Sequence, residues 1–349
     1  MKYLTSISLL LWCVLLISGC GNEAASERND GQHPRNWALA IHGGAGHFGE
    51  EDLSEELQSR YESSLEEALR IGESMLDEGK SSVDAVEAVI RFLEDDSLFN
   101  AGRGAVFTAE GRHELDASIA DGSTRNCGAI TGLQGFKHPI SVARAVMDSS
   151  EHVFFSGSCA GEYAFSMGHE MADSSWFWTD KAYQRYLKIH QKSEAHSGSA
   201  QLDKKGTVGC VALDRNGNIA AGTSTGGMTY KQHGRIGDSP IIGAGTWADN
   251  RTCAVSCTGW GEYFIRTGVA QDIHGRMLHG NESVVEACRK SIFDEMGELG
   301  GDGGVICLDR DGTIALVCNS RGMFRAWAHP EGRGIAMFGA TLEGTVEVY

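Results

Sequence analysis

Thr207 stands at the seam between two unlike stretches of chain. Before it, Lys192 to Lys205 is polar, with Ser193, Glu194, His196, Ser197, Gly198, Ser199, Gln201 and Asp203. Such a run buries little apolar area and is expected to be mobile. After it, Val208-Gly209-Cys210-Val211-Ala212-Leu213-Asp214 is apolar on both faces and reads as a strand buried on both sides. Breaking the Gly206–Thr207 bond would make Thr207 an N-terminus, with its hydroxyl beside its own α-amine. An α-amine titrates at roughly 7.7–8, so near neutral pH it can take the hydroxyl proton and activate a nucleophile. Gly206 suits a strained scissile position because it has no Cβ to obstruct attack. Taken alone, Thr207 reads equally as a β-branched residue opening a strand, since loops feed buried strands in most folds.

The segments that follow add polar groups at close spacing. They are Thr223-Ser224-Thr225-Gly226-Gly227-Met228, His233-Gly234-Arg235-Ile236-Gly237-Asp238-Ser239-Pro240 continuing to Gly245, and Thr258-Gly259-Trp260-Gly261-Glu262. With Ile41-His42-Gly43-Gly44-Ala45-Gly46 near the start, these resemble the N-terminal-nucleophile (Ntn) hydrolases of the isoaspartyl peptidase/L-asparaginase family, the plant-type asparaginases. The resemblance runs from about Trp37 to Met337. Glycosylasparaginases share the nucleophile and the Gly-Arg-x-Gly-Asp-Ser-Pro segment but carry His-Asp before the cut. Lys205-Gly206 resembles the asparaginase branch.

The resemblance implies roles. Thr207 is the nucleophile of its own cleavage and then of turnover, and Thr225 orients it. Thr258 and Gly259 form the oxyanion hole, and Asn100 lies near it. Arg235 offers a forked cation to the substrate α-carboxylate, and Asp238 an anion to its α-ammonium. An Arg and an Asp at this spacing also often satisfy one another. Ile236, Gly237, Trp260 and Gly261 complete the substrate-binding set, with Trp260 on the leaving-group side. A family sodium loop maps onto Leu93 to Gly104, including Glu94 and Phe99. Its ligands are mainly backbone carbonyls, which suit a hard cation, and no cofactor is needed for the chemistry itself. The implied partners are L-asparagine and isoaspartyl dipeptides, and the implied assembly is a dimer of α–β heterodimers.

The elements that must position these groups follow from periodicity. Trp37–Ile41 reads as a strand, followed by a tight glycine loop, His42 to Gly46, which the resemblance puts near the active site in a supporting role. Leu57, Tyr61, Leu65, Leu69 and Gly72 mark an amphipathic helix over Leu53–Glu78, ended by Gly79. Ser81-Ser82-Val83-Asp84 resembles a capping box opening a second helix. Arg103 to Phe107 leads into a strand, and Glu114–Ile119 and Gly128–Leu133 read as two more. Further helices are expected from Pro139 through Val146, over Ala160–Met171 and over Tyr183–Gln191, with Trp176 and Trp178 in a loop. Val208–Leu213 and Ile219–Thr225 form a hairpin across Asn216-Gly217, and Val305 to Leu316 forms a similar one. Gly261–Leu278 and Glu282–Glu298 read as two helices. Paired hairpins with helices segregated outside give an α+β fold, a four-layer αββα sandwich, which the resemblance also implies.

The net charge of −17 over 349 residues, with no basic patch, argues against a nucleic-acid partner. At the start, Lys2 and the apolar run Leu9 to Ile17 are too short for a membrane span. Ile17-Ser18-Gly19-Cys20 resembles a bacterial lipobox. The expectation is a signal peptide over 1–20, a lipidated Cys20, a polar tether over 21–36 and an exported, periplasmic enzyme domain over 37–349. Cleavage would divide that domain into 37–206 and 207–349. The only membrane contact expected is the lipid anchor. Apart from Cys13 and Cys20, the eight cysteines lack Cys-x-x-Cys spacing, so zinc is not indicated. Two rival functions remain at this stage: a glycosylasparaginase, and a lipid-anchored amino-acid-binding protein without chemistry.

Overall fold

The computed structural model describes residues 36–194, 206–339 and 344–349. The lipobox cysteine Cys20, the tether and the polar run before Gly206 lie outside the described residues.

Two sheets form where the sequence alternates or is apolar on both faces. The larger has eight strands among the described residues. In spatial order these are β12 (Gly332–Phe338), β11 (Gly322–His329), β1 (Ala38–Gly46), β5 (Val208–Leu213), β6 (Ile219–Thr225), β2 (Leu115–Asp121), β3 (Cys127–Leu133) and β4 (Phe154–Ser156). The smaller has five: β13 (Thr345–Val348), β10 (Ile314–Cys318), β9 (Gly303–Asp309), β8 (Cys253–Gly259) and β7 (Thr246–Ala248). All pairings are antiparallel except β3 with β4.

The alternation along β5 shows how the layers are built. Val208, Cys210 and Ala212 pack toward helices, while Val211 and Leu213 pack toward the other sheet. On that second face they meet Ala254, Ile306, Leu308 and Leu316. The helical side is covered by α1 (Glu55–Asp77), α2 (Ser82–Asp95) and α3 (Pro139–Ser149). Val86, Val89, Ile90 and Leu93 of α2 are fully buried, each contributing about 1.5–3 kcal/mol of transfer free energy. The smaller sheet is covered by α7 (Gly261–Thr267), α8 (Val269–Gly280) and α9 (Val284–Arg289), through Phe264, Ile273 and Val284. Helix, sheet, sheet and helix stack in that order, as the sequence patterning requires of an αββα sandwich.

Capping follows the sequence. Ser54 accepts from the Leu57 N–H, and Ser81 accepts from the Asp84 N–H at 3.2 Å. The β5–β6 hairpin turns through Gly217 at φ 77°, and Asp214 Oδ1 accepts from the Asn216 and Asn218 N–H groups.

The structure departs from expectation in several places. His42 to Gly46 is not a loop, because β1 runs through it with an irregular register between His42 and Gly44. No strand follows Arg103. Gly102–Gly104 is a 3-10 turn, and the Val106 N–H and Phe107 carbonyl are taken by Asn100 and Tyr230 instead of a ladder. The helix expected over Ala160–Met171 is α4 (Gly157–Ser166), which stops before Gly168 at φ 76°. Trp176 lies in the one-turn helix α5 (Ser174–Phe177), and Trp178 caps it. The next helix, α6 (Asp180–Glu194), exceeds the expected span at both ends. Gly268, at φ 60°, breaks the helix expected over Gly261–Leu278 into α7 and α8. After α9 the chain continues as a π-helical turn, Lys290–Met296.

Candidate active site

Thr207 and Thr225 meet because of register. The β5–β6 ladder pairs Val208 with Ser224, so the residues just beyond that pair face one another. Both belong to the alternating set that points between the sheets. Thr207 Oγ1 donates to Thr225 Oγ1 at 3.2 Å. Thr225 Oγ1 also accepts from the Gly227 N–H at 2.9 Å, and its own proton faces the Gly206 carbonyl at 3.4 Å. Thr225 is 2 % exposed and Thr207 8 %, so both hydroxyls work largely out of water.

The bond ahead of Thr207 is held from the other side by Asn100. Its Nδ2 donates to the Gly206 carbonyl at 2.7 Å and to the Gly227 carbonyl at 2.7 Å. Its Oδ1 accepts from the Val106 N–H at 3.0 Å, which fixes the amide's orientation. Gly206 sits at φ 85°, a backbone region that disfavours side chains. Gly44, at φ 114°, passes so close that a Cβ there would strike Gly206 Cα.

Thr258, at the end of β8, accepts from the Ala45 N–H through Oγ1 at 3.2 Å. Gly259 has φ 148°, and a Cβ there would strike the backbone of Asp302 and Gly303. Arg235 places its fork on Glu262 rather than on Asp238: Nε meets Oε1 at 2.9 Å and Nη2 meets Oε2 at 2.8 Å. Asp238 is 5 % exposed, and its Oδ2 has no hydrogen-bond partner among the described residues. Burial pushes its carboxyl from 3.8 up to about 7, against the pull of Arg235. Gly261 leaves room beside these groups, since a Cβ there would press on Asp238 Oδ1 and Arg235 Nη2.

The cavity between these groups is about 20 Å³ and is lined by Gly206, Thr207, Thr225, Gly227, Met228, Arg235, Gly237, Asp238, Ser239 and Gly259. That is room for about one water, and Gly206 is part of its wall beside Thr207. Ile236 points outward, and Trp260 packs edge-on against Tyr263 at 4.8 Å, off the cavity wall. A larger hollow of about 220 Å³ lies by Arg91, His138, Ser141 and His169 and holds none of the sequence-predicted residues.

The resemblance places a cation in the loop after α2. There the chain packs closely on itself: a Cβ at Gly102 would strike the Glu94 carbonyl, and one at Gly104 the Phe99 carbonyl. The Glu94 carboxyl points elsewhere: Oε1 accepts from the Ile140 N–H and the Ser224 hydroxyl. No cluster of three His, Cys, Asp or Glu side chains suited to a metal occurs among the described residues.

The resemblance places the His42 segment near the site in a supporting role, and the His42 imidazole contacts Thr207. Lys231 and Asp116 have no role in the sequence reading. Lys231 is 5 % exposed, with Nζ 3.1 Å from the Glu114 carbonyl and 3.6 Å from Asp116 Oδ2. Asp116 pairs in register with Thr225. A lysine inside the otherwise uncharged run Thr225 to Lys231 was the available signal.

A family model described as asparaginase matches residues 35–337. The isoaspartyl peptidase of Salmonella typhimurium is 46% identical over 297 residues, covering 83% of this chain and 95% of its own. The isoaspartyl peptidase of Escherichia coli is 45% identical over 297 residues, covering 83% and 92%. A probable isoaspartyl peptidase/L-asparaginase 2 of Arabidopsis thaliana is 40% identical over 320 residues, covering 85% and 97%. With the two-sheet fold and the Thr207 junction, these matches lead to one assignment: the chain belongs to the asparaginase family.

Proposed function

We propose that this protein cuts its own Gly206–Thr207 bond and then hydrolyses L-asparagine and β-aspartyl dipeptides through Thr207. The observation that carries the reading is the Thr207–Thr225 hydroxyl contact, set against a scissile carbonyl held by Asn100.

In the precursor, Thr207 Oγ1 attacks the Gly206 carbonyl carbon. Asn100 and Thr225 stabilise the oxyanion, the hydroxyl proton passes by way of Thr225 Oγ1 to the Thr207 nitrogen, and the C–N bond breaks to give an ester and a free amine. Water then releases Gly206 as a carboxylate. In turnover the free amine takes the Thr207 hydroxyl proton, and Oγ1 attacks the substrate's side-chain amide carbon. The Thr258 hydroxyl and the Gly259 N–H bind the oxyanion; one such donor is typically worth about 10²–10³ in rate. The amine passes its proton to the departing ammonia or amino acid. Water, activated by the same amine, then hydrolyses the β-aspartyl ester. Asp238 holds the substrate ammonium, and Arg235, already oriented by Glu262, holds the α-carboxylate through its remaining N–H groups.

The names of the relatives favour this reading over a glycosylasparaginase or a binding protein. The test is ammonia release from asparagine and amino-acid release from a β-aspartyl dipeptide, with Thr207→Ala as control. Activity surviving in that control ends the proposal.

The remaining parts rest on the sequence. A sodium ion at the carbonyls of the 94–104 loop is structural, with no part in the chemistry. The mature chain is lipidated at Cys20, exported to the periplasm and assembled as a dimer of α–β heterodimers. Mass spectrometry of the membrane fraction tests the lipid, and light scattering tests the assembly.

A further inference from the structure

Once cleaved, Thr207 keeps only one covalent anchor, its own carbonyl carbon. The direction of its amine and hydroxyl then depends on how that peptide group is held. The β1–β5 ladder ends at the His42–Gly209 pair, two residues short of Thr207. At this point the His42 side chain takes over from the backbone: Nδ1 lies 3.1 Å from the Thr207 carbonyl oxygen. A carbonyl can only accept, so Nδ1 carries the hydrogen. His42 is fully buried, and burial pushes its imidazole from 6.5 down to about 3. The ring is therefore neutral and Nε2 is an acceptor, 2.9 Å from Ser256 Oγ.

The hydrogen bonds continue between the sheets. Ser256 meets Thr223 at 2.7 Å, Thr246 donates to Thr223 at 2.6 Å, and Ser118 lies 2.7 Å from Thr246 and 2.6 Å from the Ser239 carbonyl. These hydroxyls come from β2, β6, β7 and β8, so both sheets contribute. The row begins at the nucleophile and ends one residue past Asp238. The space for the ring is reserved by Gly209, where a Cβ would strike both His42 Nε2 and Ser256 Oγ.

We infer that His42 is the positioning residue for the N-terminal threonine, its Nδ1–H fixing the Thr207 peptide group so that the freed amine and hydroxyl face the substrate. This rests on Thr207 being the nucleophile. A fixed peptide plane holds the position of Cα and the Cα–C axis about which the freed amine and hydroxyl turn. A misplacement of about 1 Å at a reacting atom costs on the order of 10²-fold in rate.

The experiment measures kcat and KM per cleaved site, together with precursor cleavage rate and Tm, in His42→Leu, His42→Asn, Ser256→Ala and the control Thr207→Ala. Asn presents an N–H close to the position of Nδ1, so it keeps the contact with Thr207 and gives up the one with Ser256. The expected result is a fall of about 10²-fold in kcat for His42→Leu, with KM within a few-fold of wild type. His42→Asn and Ser256→Ala should stay within about tenfold of wild-type kcat even where their Tm falls. Wild-type kcat in His42→Leu overturns the inference. So does an equal loss in all three variants that tracks Tm, and if His42→Leu does not fold, a kcat of His42→Asn as low as about 10²-fold below wild type does the same. Turnover by Thr207→Ala would instead remove the nucleophile assignment beneath it.

Discussion

The hydroxyl oxygens of Thr207 and Thr225 lie 3.2 Å apart, with the Gly227 N–H closing on the second from behind. Strand register brings them together, and a slip of one residue in either strand would turn its threonine out of the site.

Thr225→Ala removes the acceptor that receives the Thr207 proton and one of the groups facing the Gly206 carbonyl. Precursor cleavage should slow by about 10²-fold, while Thr225→Ser stays within about tenfold of wild type. A time course of freshly purified protein on denaturing gels reads both rates.

Asn100→Ala withdraws the 2.7 Å donor from the scissile carbonyl. Cleavage should fall by about 10²–10³. Asn100→Asp should be worse than Asn100→Ala, because a carboxylate there repels the developing oxyanion. Intact mass at timed intervals distinguishes the two.

Asp238 gives a pH dependence with a definite sign. Its folded-state carboxyl titrates at about 7 rather than 3.8, so acidification protonates it and removes the anion proposed to hold the substrate ammonium. KM should rise as pH falls from about 8 to about 6, and Asp238→Asn should show a high KM without that slope. The folded state binds this proton more tightly than the unfolded chain. This contribution to stability is therefore present at low pH and is lost as pH rises through about 7. A bound ammonium offsets the cost of the buried charge, so L-aspartate should raise Tm more at about pH 8 than at about pH 6.

Glu262 holds Arg235 in a two-point pair. Glu262→Gln leaves the guanidinium charged but free to swing. KM for asparagine should rise by about tenfold with kcat changed only a few-fold, the split expected when substrate positioning weakens. Steady-state kinetics at fixed pH measures it.

The sequence carried much of this arrangement. The small, uncharged runs Val208–Leu213 and Ile219–Thr225 read as the strands of the central hairpin, and Asn216-Gly217 as its turn. Thr207, Thr225, Asp238 and Gly259 could be named because each stands in a contiguous motif. What escaped depends on groups far apart in the chain. Glu262 is 27 residues from Arg235, and their pairing follows from α7 starting beside the Arg235 loop. The contact of His42 with Thr207 spans 165 residues. It was hidden because His42-Gly43-Gly44 looks like a turn, whereas β1 absorbs these glycines through an irregular register. The strand expected after Arg103 failed because Asn100 and Tyr230 claim its backbone groups, a competition that periodicity does not register.

The most direct measurement is N-terminal sequencing with intact mass of the purified protein, paired with ammonia release by the same sample. The account predicts a fragment that begins at Thr207, activity that rises with the amount of that fragment, and an intact, inactive Thr207→Ala chain. An uncut chain that releases ammonia from asparagine at the full rate would contradict it.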